Sequence, residues 1–376
     1  MKLLHTADWH IGRRFPSFDE NDRLRLMRAR IDVIERIFGV AERHQVDAVL
    51  CAGDLFDDPH PRREHYIALA DVLARRSLGR PVYLLPGNHD PLIAGSVWSN
   101  DHEFRRLIPK NVQVVDEEEM EFSLGEGAVL FARPCTSKAG QRDNAMRLPP
   151  RKAGDDRIRV GMVHGSTFDA GEGWEQNFPI AKDAAVQRGL DYLAIGDTHA
   201  FRLVPEDAPV PTVYPSAPEA TNFGETDTGY VSLVFFTRRT RRALVRKEKV
   251  AKWTWRQERI TEIQQLRDLA ASDLAQTVMR LELDLAVSPN EFEEVEALLQ
   301  LLKGSEATHG RVGVLQLRRD ALALRTDDIE RYFDDLPDVL KQTAKRLRAI
   351  EAEGERSAEA QRALFHLYRL TREFVS

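Results

Sequence analysis

Five polar motifs, each set directly behind an apolar run of strand character, constrain this chain more than any other feature. Asp8-Trp9-His10 follows the run 2–6, and Gly53-Asp54-Leu55-Phe56-Asp57 follows 46–51. Gly87-Asn88-His89-Asp90 follows 81–85, His164 closes 160–163, and Gly196-Asp197-Thr198-His199 begins where 192–195 ends. In sheets of this kind the carboxyl ends of the strands open on one crevice, where ligands bind. Any one motif alone describes a turn glycine with a capping Asp, or a histidine satisfied in the core. All five in series predict that Asp8, His10, Asp54, Asn88, His164, Asp197 and His199 gather at one dinuclear metal site.

The residue mix suits phosphate-ester chemistry. Two divalent cations roughly 3.5–4 Å apart share a water and stabilise attacking and leaving oxygens in an in-line displacement. A carboxylate that bridges the pair must sit centrally, and Asp54 fits, pinned between Gly53, which permits a sharp exit from the strand, and the Asp57 loop. Asp8 and His10 reach one metal from a single loop. Asn88 offers a neutral carbonyl oxygen, and His164 and His199 offer imidazole nitrogen. No cysteine stands among these motifs, which points away from structural zinc.

The organisation follows from periodicity. Strands alternate with amphipathic helices through the first half, one helix carrying Leu24, Met27, Ile31, Ile34 and Ile37 at helical spacing and another running over 66–78. From about Val112 the strands come closer together, at 128–131, 158–163, 192–195 and 230–236. The expected fold is α/β, a two-sheet β-sandwich flanked by helices over 1–258. An α-β-α-β stretch then predicts a small α+β domain over 259–325, with helices at 262–271 and 290–302 and strands at 278–287 and 312–324. The segment 326–376 reads as a helical, highly charged tail broken at Gly354. One apolar stripe there is Ile329, Tyr332, Phe333, Leu336 and Leu340; the other is Ala360, Leu364, Leu367 and Leu370, capped by Ser357. Such stripes pack back on the catalytic domain or dock a partner helix.

Composition narrows the class without choosing the substrate. At 42% hydrophobic and 30% charged residues the chain is globular rather than disordered. No stretch has the length of a transmembrane helix, and Leu3-Leu4 behind Lys2 is too short for a secretory apolar region, so the expected location is the cytoplasm with no membrane partner. Cys51 and Cys135 make no disulfide framework, and Cys51 in Val49-Leu50-Cys51-Ala52 is a small buried hydrophobe. A net charge of -6 argues mildly against coating DNA by charge alone, but local basic residues and bound cations outweigh a global total. One basic stretch, Arg238-Arg239-Thr240-Arg241-Arg242 with Arg246, Lys247, Lys249 and Lys252, precedes Trp253 and Trp255. It is either a phosphate contact with stacking platforms or an exposed hairpin tip whose tryptophans pack on a sheet. Arg13 and Arg14 fall at the mouth of the site, as steering charges for an anionic substrate or as a solvated loop. His5 reads as structural, and His44, His60, His65, His102, His309 and His366 as surface or packing residues.

Taken together, the motifs resemble the calcineurin-like metallophosphoesterase superfamily, whose pattern is D-x-H, GDxxD, GNHD, H and GHxH. Within it, Leu4-His5-Thr6-Ala7-Asp8-Trp9-His10-Ile11-Gly12, Cys51-Ala52-Gly53-Asp54-Leu55-Phe56-Asp57, Pro86-Gly87-Asn88-His89-Asp90 and His164-Gly165 are similar to the SbcD branch, the nuclease component of the SbcCD DNA repair complex. Tyr214-Pro215-Ser216-Ala217-Pro218-Glu219 resembles the YPGSPE segment of that branch. The likeness covers residues 1–236, holds only in layout over the small second domain, and hardly extends to the tail. It implies Asp8, His10, Asp54 and His199 on one metal, with Asp54, Asn88, His164 and Asp197 on the other. It implies His89 as the catalytic histidine near the leaving oxygen, with Asp57 orienting it.

One departure stands out, Asp197 where the family pattern has His. A carboxylate hardens the site, favouring Mn2+ or Mg2+ over zinc, and a less positive cluster acidifies a bridging water less effectively. The resemblance implies a DNA exonuclease or endonuclease that uses a metal-activated hydroxide in double-strand-break repair and recombination. Its implied partners are DNA and an SbcC-like coiled-coil ATPase, and a homodimer is among the assemblies this layout admits. Two other functions compete: a phosphodiesterase or phosphatase for small molecules or phosphoproteins, and a non-catalytic scaffold. His89 and the ligand set disfavour the scaffold, and the His5-to-Gly12 segment with the added domain favours the nuclease.

Overall fold

In the computed structural model, two six-stranded sheets build the first of two units, Met1–Lys252 and Trp253–Ser376. The structure describes residues 1–168, 176–237, 240–305, 308–325, 332–333, 336–354 and 356–375. In the first sheet, β1 (Lys2–Thr6), β2 (Ala48–Ala52), β3 (Val82–Leu85) and β4 (Val112–Val114) run parallel in that order. The antiparallel hairpin of β13 (Tyr230–Phe236) and β14 (Ala243–Lys249) extends the sheet beyond β1. The second sheet holds β5 (Met120–Ser123), β6 (Ala128–Ala132), β7 (Ile158–His164), β10 (Tyr192–Gly196), β11 (Phe201–Leu203) and β12 (Thr212–Pro215). A short parallel pair, β8 (Thr167–Phe168) and β9 (Ile180–Ala181), lies in the stretch between β7 and β10. The expected two-sheet sandwich is therefore present.

Side-chain alternation explains the layers. Leu3, Leu50, Leu85, Leu130, Val160, Met162 and Tyr192 share one buried cluster, the filling between the sheets. Leu4, Val49, Cys51 and Leu84 face the other way, into a cluster completed by α1 (Glu20–Arg43) and α2 (Arg63–Arg76). Helix α1 starts where the Asp19 side chain accepts from Asp22 N at 2.9 Å, with Glu20 and Asp22 in its first turn and Arg43 in its last. Its buried face is Leu26, Ala29, Arg30, Val33, Ile34, Ile37, Phe38, Val40 and Ala41. Of the expected stripe, Ile34 and Ile37 are buried and Ile31 packs against the same cluster, whereas Leu24 is 56% exposed. Arg30 is also on the packed face, a buried residue whose guanidinium donates to Trp9 O at 2.8 Å and Ala220 O at 2.9 Å.

Register places the site. Thr6 is level with Cys51, and Cys51 with Leu84, so the chains leave β1, β2 and β3 on one line. His164 and Gly196 are likewise level across β7 and β10.

The second unit has a three-stranded parallel sheet of Thr254–Ile260, Leu274–Leu283 and Val312–Arg318, with helices Ile263–Ala271 and Pro289–Lys303 between the strands. The expected boundary at 258/259 is replaced by one at 252/253, because Thr254–Ile260 pairs along its length with Thr277 to Leu283. The helical end also belongs to this unit. Phe333, Ala344, Leu364, Phe365 and Tyr368 share its core with Leu281 and Val295, and Tyr332, Leu336 and Leu367 pack against it, whereas Leu370 of the second stripe is 49% exposed. A small sheet with two helices buries too little surface alone, and the terminal helices complete it. Ile329 lies outside the described residues. Among the described residues no helix is long and apolar enough to cross a membrane.

Ile37 is fully buried between α1 and the first sheet. Ile37→Ala is expected to lower unfolding stability by about 2–5 kcal/mol, measured by guanidinium denaturation. A loss under about 1 kcal/mol would contradict this packing.

Candidate metal centre

Two strand-end loops stay paired beyond their sheet and so hold a fixed spacing. Asp8 N donates to Gly53 O and His10 N to Asp54 O, both at 3.0 Å; Ile11 N then donates to Leu55 O at 2.9 Å and Asp57 N to Ile11 O at 3.0 Å. Asp8, His10 and Asp54 all take left-handed backbone, at φ 56°, 45° and 53°. This folds their side chains back over the strand ends instead of letting the strands continue. Asp197 stands at φ 107°, and its N–H donates to Asp8 Oδ1 at 3.0 Å, tying the β10 loop to the β1 loop.

Glycine makes room for the carboxylate at the centre. A Cβ on Gly87 would lie 2.2 Å from Asp54 Oδ1 and 2.3 Å from Asp54 N. One on Gly53 would lie 2.1 Å from His164 Nδ1, and Gly53 itself has φ 96°. Neither position admits a side chain without displacing the centre.

All seven expected ligand residues converge, and Asp8, His10, Asp54 and His164 are buried. Metal-competent groupings among the described residues are Asp8 with His10 and His199, Asp8 with Asp54 and His164, and His10 with Asp54 and His89. Each histidine of the expected ligand set has one ring nitrogen occupied. His10 Nδ1 lies 3.1 Å from Asp57 Oδ1, His199 Nδ1 lies 2.9 Å from Glu225 Oε1, and His164 Nδ1 lies 2.8 Å from Ala52 O. These acceptors assign the proton to Nδ1 and leave Nε2 for the centre. There His10 Nε2 and His199 Nε2 are 3.0 Å apart. His164 Nε2 stands 2.9 Å from Asn88 Oδ1, 3.4 Å from Asp54 Oδ2 and 3.9 Å from Asp197 Oδ1.

The electrostatics describe a site short of positive charge. Burial pushes the Asp8 carboxyl up to about 7, against the pull of His164 and His199. Burial opposes the charged form of His164 as well, but Asp54, Asp8 and Asp197 outweigh it and raise the imidazole to about 10. Burial draws His10 down to about 4 despite Asp57, leaving it neutral. Glu225 is held at about 2: burial acts to raise it, and His199 and Thr221 overcome that. Buried carboxylates facing imidazole Nε2 atoms are the donor set that divalent cations neutralise, so the residues present fit a metal pair.

The expectation for Asp57 changes. Its carboxylate bonds His10 and lies 3.3 Å from Arg13 Nη1, whereas His89 Nδ1 is 4.0 Å away, so Asp57 orients His10 more directly than His89. His89 hangs over the cluster, its ring edge-on to His10 with centroids 4.9 Å apart and its side chain 43% exposed. Its backbone N–H donates to Asp54 Oδ1 at 2.9 Å. Arg14 is exposed. His5 is buried, with Nδ1 2.9 Å from the Tyr192 hydroxyl.

The basic stretch is a hairpin between β13 and β14, with Arg238 and Arg239 outside the described residues. Arg241 pairs with Asp156 at 3.3 Å and Lys247 with Asp227 at 2.7 Å. Trp253 and Trp255 belong to the second unit, where Trp253 is buried.

Sequence reasoning missed four supports. Asp90 accepts from Gly87 N at 2.8 Å, Leu55 N at 3.0 Å and Phe56 N at 2.9 Å, fastening the second and third loops together. Its place in Gly87-Asn88-His89-Asp90 was the available signal. Glu225 and Arg30 carry no local signal, since their partners lie 26 residues away at His199 and 21 residues away at Trp9. Ser166 Oγ makes a short hydrogen bond to Asp197 Oδ2, and its position just past His164-Gly165 was the only hint.

A two-sheet sandwich with this cluster at its strand ends defines a metal-dependent phosphoesterase. The family model described as Calcineurin-like phosphoesterase matches residues 1–201. The chain belongs to the calcineurin-like phosphoesterase family. It is 29% identical over 242 residues to "Uncharacterized metallophosphoesterase YhaO" of Bacillus subtilis, covering 61% of this chain and 56% of that protein. To the SbcD component of the nuclease SbcCD of Rhodobacter capsulatus it is 39% identical over 174 residues, covering 44% of this chain and 39% of that one. The chain thus spans about half or less of the length of these relatives. A dimetal phosphatase from Danio rerio aligns at 12% identity and TM-score 0.40, over 67% of this chain and 96% of that one.

Glu225→Ala is expected to weaken manganese binding by about 10–100-fold in titration calorimetry, the usual cost of losing the carboxylate behind a ligand histidine. Unchanged affinity would exclude His199 from the centre. Gly87→Ala should cut hydrolysis of bis-p-nitrophenyl phosphate by about a hundredfold, through displacement of Asp54. Wild-type turnover in that variant would contradict the close approach.

Proposed function

We propose that this chain is a metal-dependent DNA nuclease of the SbcD type, hydrolysing phosphodiester bonds in double-strand-break repair with an SbcC-like coiled-coil ATPase. In this reading Asp8, His10, Asp54 and His199 hold one cation and Asp54, Asn88, His164 and Asp197 the other. The oxygen-rich set suits Mn2+ or Mg2+. Two such cations, when bound, polarise the phosphoryl group and acidify water at the centre.

The observation that carries the reading is the depth gradient at the site. The carboxylates and imidazoles of the cluster are largely buried, while His89 is 43% exposed directly above His10. A scissile phosphate can reach such a centre from the surface while the rest of a polymer stays outside. There His89 gives a proton to the departing ester oxygen as its bond to phosphorus breaks, while the oxygen of a water bonds to phosphorus and releases its own proton to solvent. Asp57 fixes the ring of His10, and Arg13 beside it presents positive charge toward an approaching phosphate. The partial likeness to the SbcD component of SbcCD supports DNA as the polymer.

The test is cleavage of labelled single- and double-stranded DNA and of bis-p-nitrophenyl phosphate with manganese. DNA cleavage is expected, abolished by Asp54→Asn and reduced at least about a hundredfold by His89→Ala. Turnover of the small ester alone would replace the reading with a small-molecule phosphodiesterase, a function to which the net charge of -6 is indifferent. Normal rates in His89→Ala would remove its assigned role.

A further inference from the structure

Beside the centre, a cavity of about 240 Å³ is walled by Arg133, Arg142 and Arg147 together with Thr136, Ser137 and Glu118. It is below the usual size of a drug-like ligand site, and suits an ionic group better than a whole molecule. Arg133 is the unusual member. It is only 5% exposed, yet its Nε is buried with no hydrogen-bond partner. Its Nη1 donates to Glu119 at 2.6 Å, and its Nη2 lies 3.5 Å from Glu118. Glu118 also meets Arg147, at 3.2 Å. Both glutamate side chains are largely in solvent, 71% and 47% exposed, so they are weak, displaceable partners. Burial, then the neighbouring charge of Arg147, lowers the Arg133 pKa from its ordinary value. Arg142 is exposed and makes no ion pair among the described residues. Arg133 and Arg147 thus share the two carboxylates, and Arg142 adds a third guanidinium to the wall, an excess of positive charge.

The cavity wall is joined to the centre by backbone. Cys135, two residues beyond Arg133, donates its N–H to Pro86 O at 3.0 Å, just before the Gly87-Asn88-His89 turn. Its thiol lies 3.7 Å from His164 O, and Leu92 N donates to its carbonyl at 2.8 Å. One backbone hydrogen bond thus ties the segment that carries Arg133 to the segment that leads into Asn88 and His89.

We propose that the Arg133–Arg142–Arg147 cavity holds a phosphate of the substrate strand other than the one being cleaved, and so selects polynucleotides over isolated phosphodiesters. The guanidinium forks, with the Thr136 hydroxyl, supply the donors a phosphodiester accepts. The inference rests on the nuclease reading for its occupant.

The full-length protein is tested as wild type, as the Arg142→Ala/Arg147→Ala variant, and as Arg28→Ala, an exposed α1 control. Binding of a fluorescent oligonucleotide is followed by anisotropy in chelator, and cleavage of the same strand and of bis-p-nitrophenyl phosphate with manganese. The double variant is expected to raise Kd and KM for DNA about tenfold and to flatten the slope of log Kd against log salt by about one per lost contact. Its kinetics on the small ester, and both readouts of Arg28→Ala, should stay at wild-type values. Unchanged DNA affinity and salt slope would overturn the cavity's role while leaving a cleaving wild type as a nuclease. A wild type that binds through the cavity but does not cut DNA would sink the nuclease reading alone. Should the double variant lose the small-ester activity, Arg142→Ala by itself carries the same comparison without breaking an ion pair.

Discussion

The Asp54 carboxylate is the fixed point of the first unit. Its Oδ1 accepts from His89 N, and its Oδ2 faces His164 Nε2 at 3.4 Å and His10 Nε2 at 3.9 Å. Burial alone would drive the carboxyl toward its neutral form, and the three surrounding histidines, His164 first, hold it well below the ordinary range. One buried anion thereby relates loops that follow β1, β2, β3 and β7. The loops in turn relieve one another of unsatisfied backbone groups: Asp90 takes three N–H donors, and Arg30 takes carbonyls from Trp9 and Ala220. Polar groups with these partners can stay buried, and without them each would carry its full desolvation cost.

The two sheets support that arrangement in shape as well as charge. Level strand ends across β1, β2 and β3, and across β7 and β10, bring five loops to one edge without long connections. The inter-sheet core and the α1–α2 layer hold that edge rigid, a condition for a centre where displacements of an ångström matter. The second unit folds around its own core, and all seven candidate ligand residues lie in the first.

Much of this was legible in the amino-acid order. Strand-end motifs announce a shared edge because parallel strands impose one, and Asp54, Asn88 and His164 follow directly. Asp57 was placed correctly in its loop but given the wrong principal neighbour, since reading cannot decide between His10 and His89 when both rings approach within an ångström of the same reach. Arg30 was invisible because hydropathy assigns arginine to the surface, whereas here it caps carbonyls inside the core. Glu225 acts through His199, 26 residues away, so nothing in its own sequence neighbourhood demands it. The boundary near residue 253 was missed because a strand that opens a parallel sheet looks, in sequence, like one that closes an antiparallel hairpin.

The left-handed backbone at Asp8, His10, Asp54 and Asp197 bears on how such a centre can change over generations. Conformations of this kind cost about 1–3 kcal/mol each and exclude β-branched residues, while Asn, Asp and His enter them several-fold more readily than other side chains. Those three residue types are also oxygen or nitrogen donors. The dihedral angle therefore filters substitutions before the cation does: drift at such a position exchanges one donor for another more easily than it removes the donor. An aspartate at 197, where the family pattern carries histidine, is the kind of exchange this filter lets through.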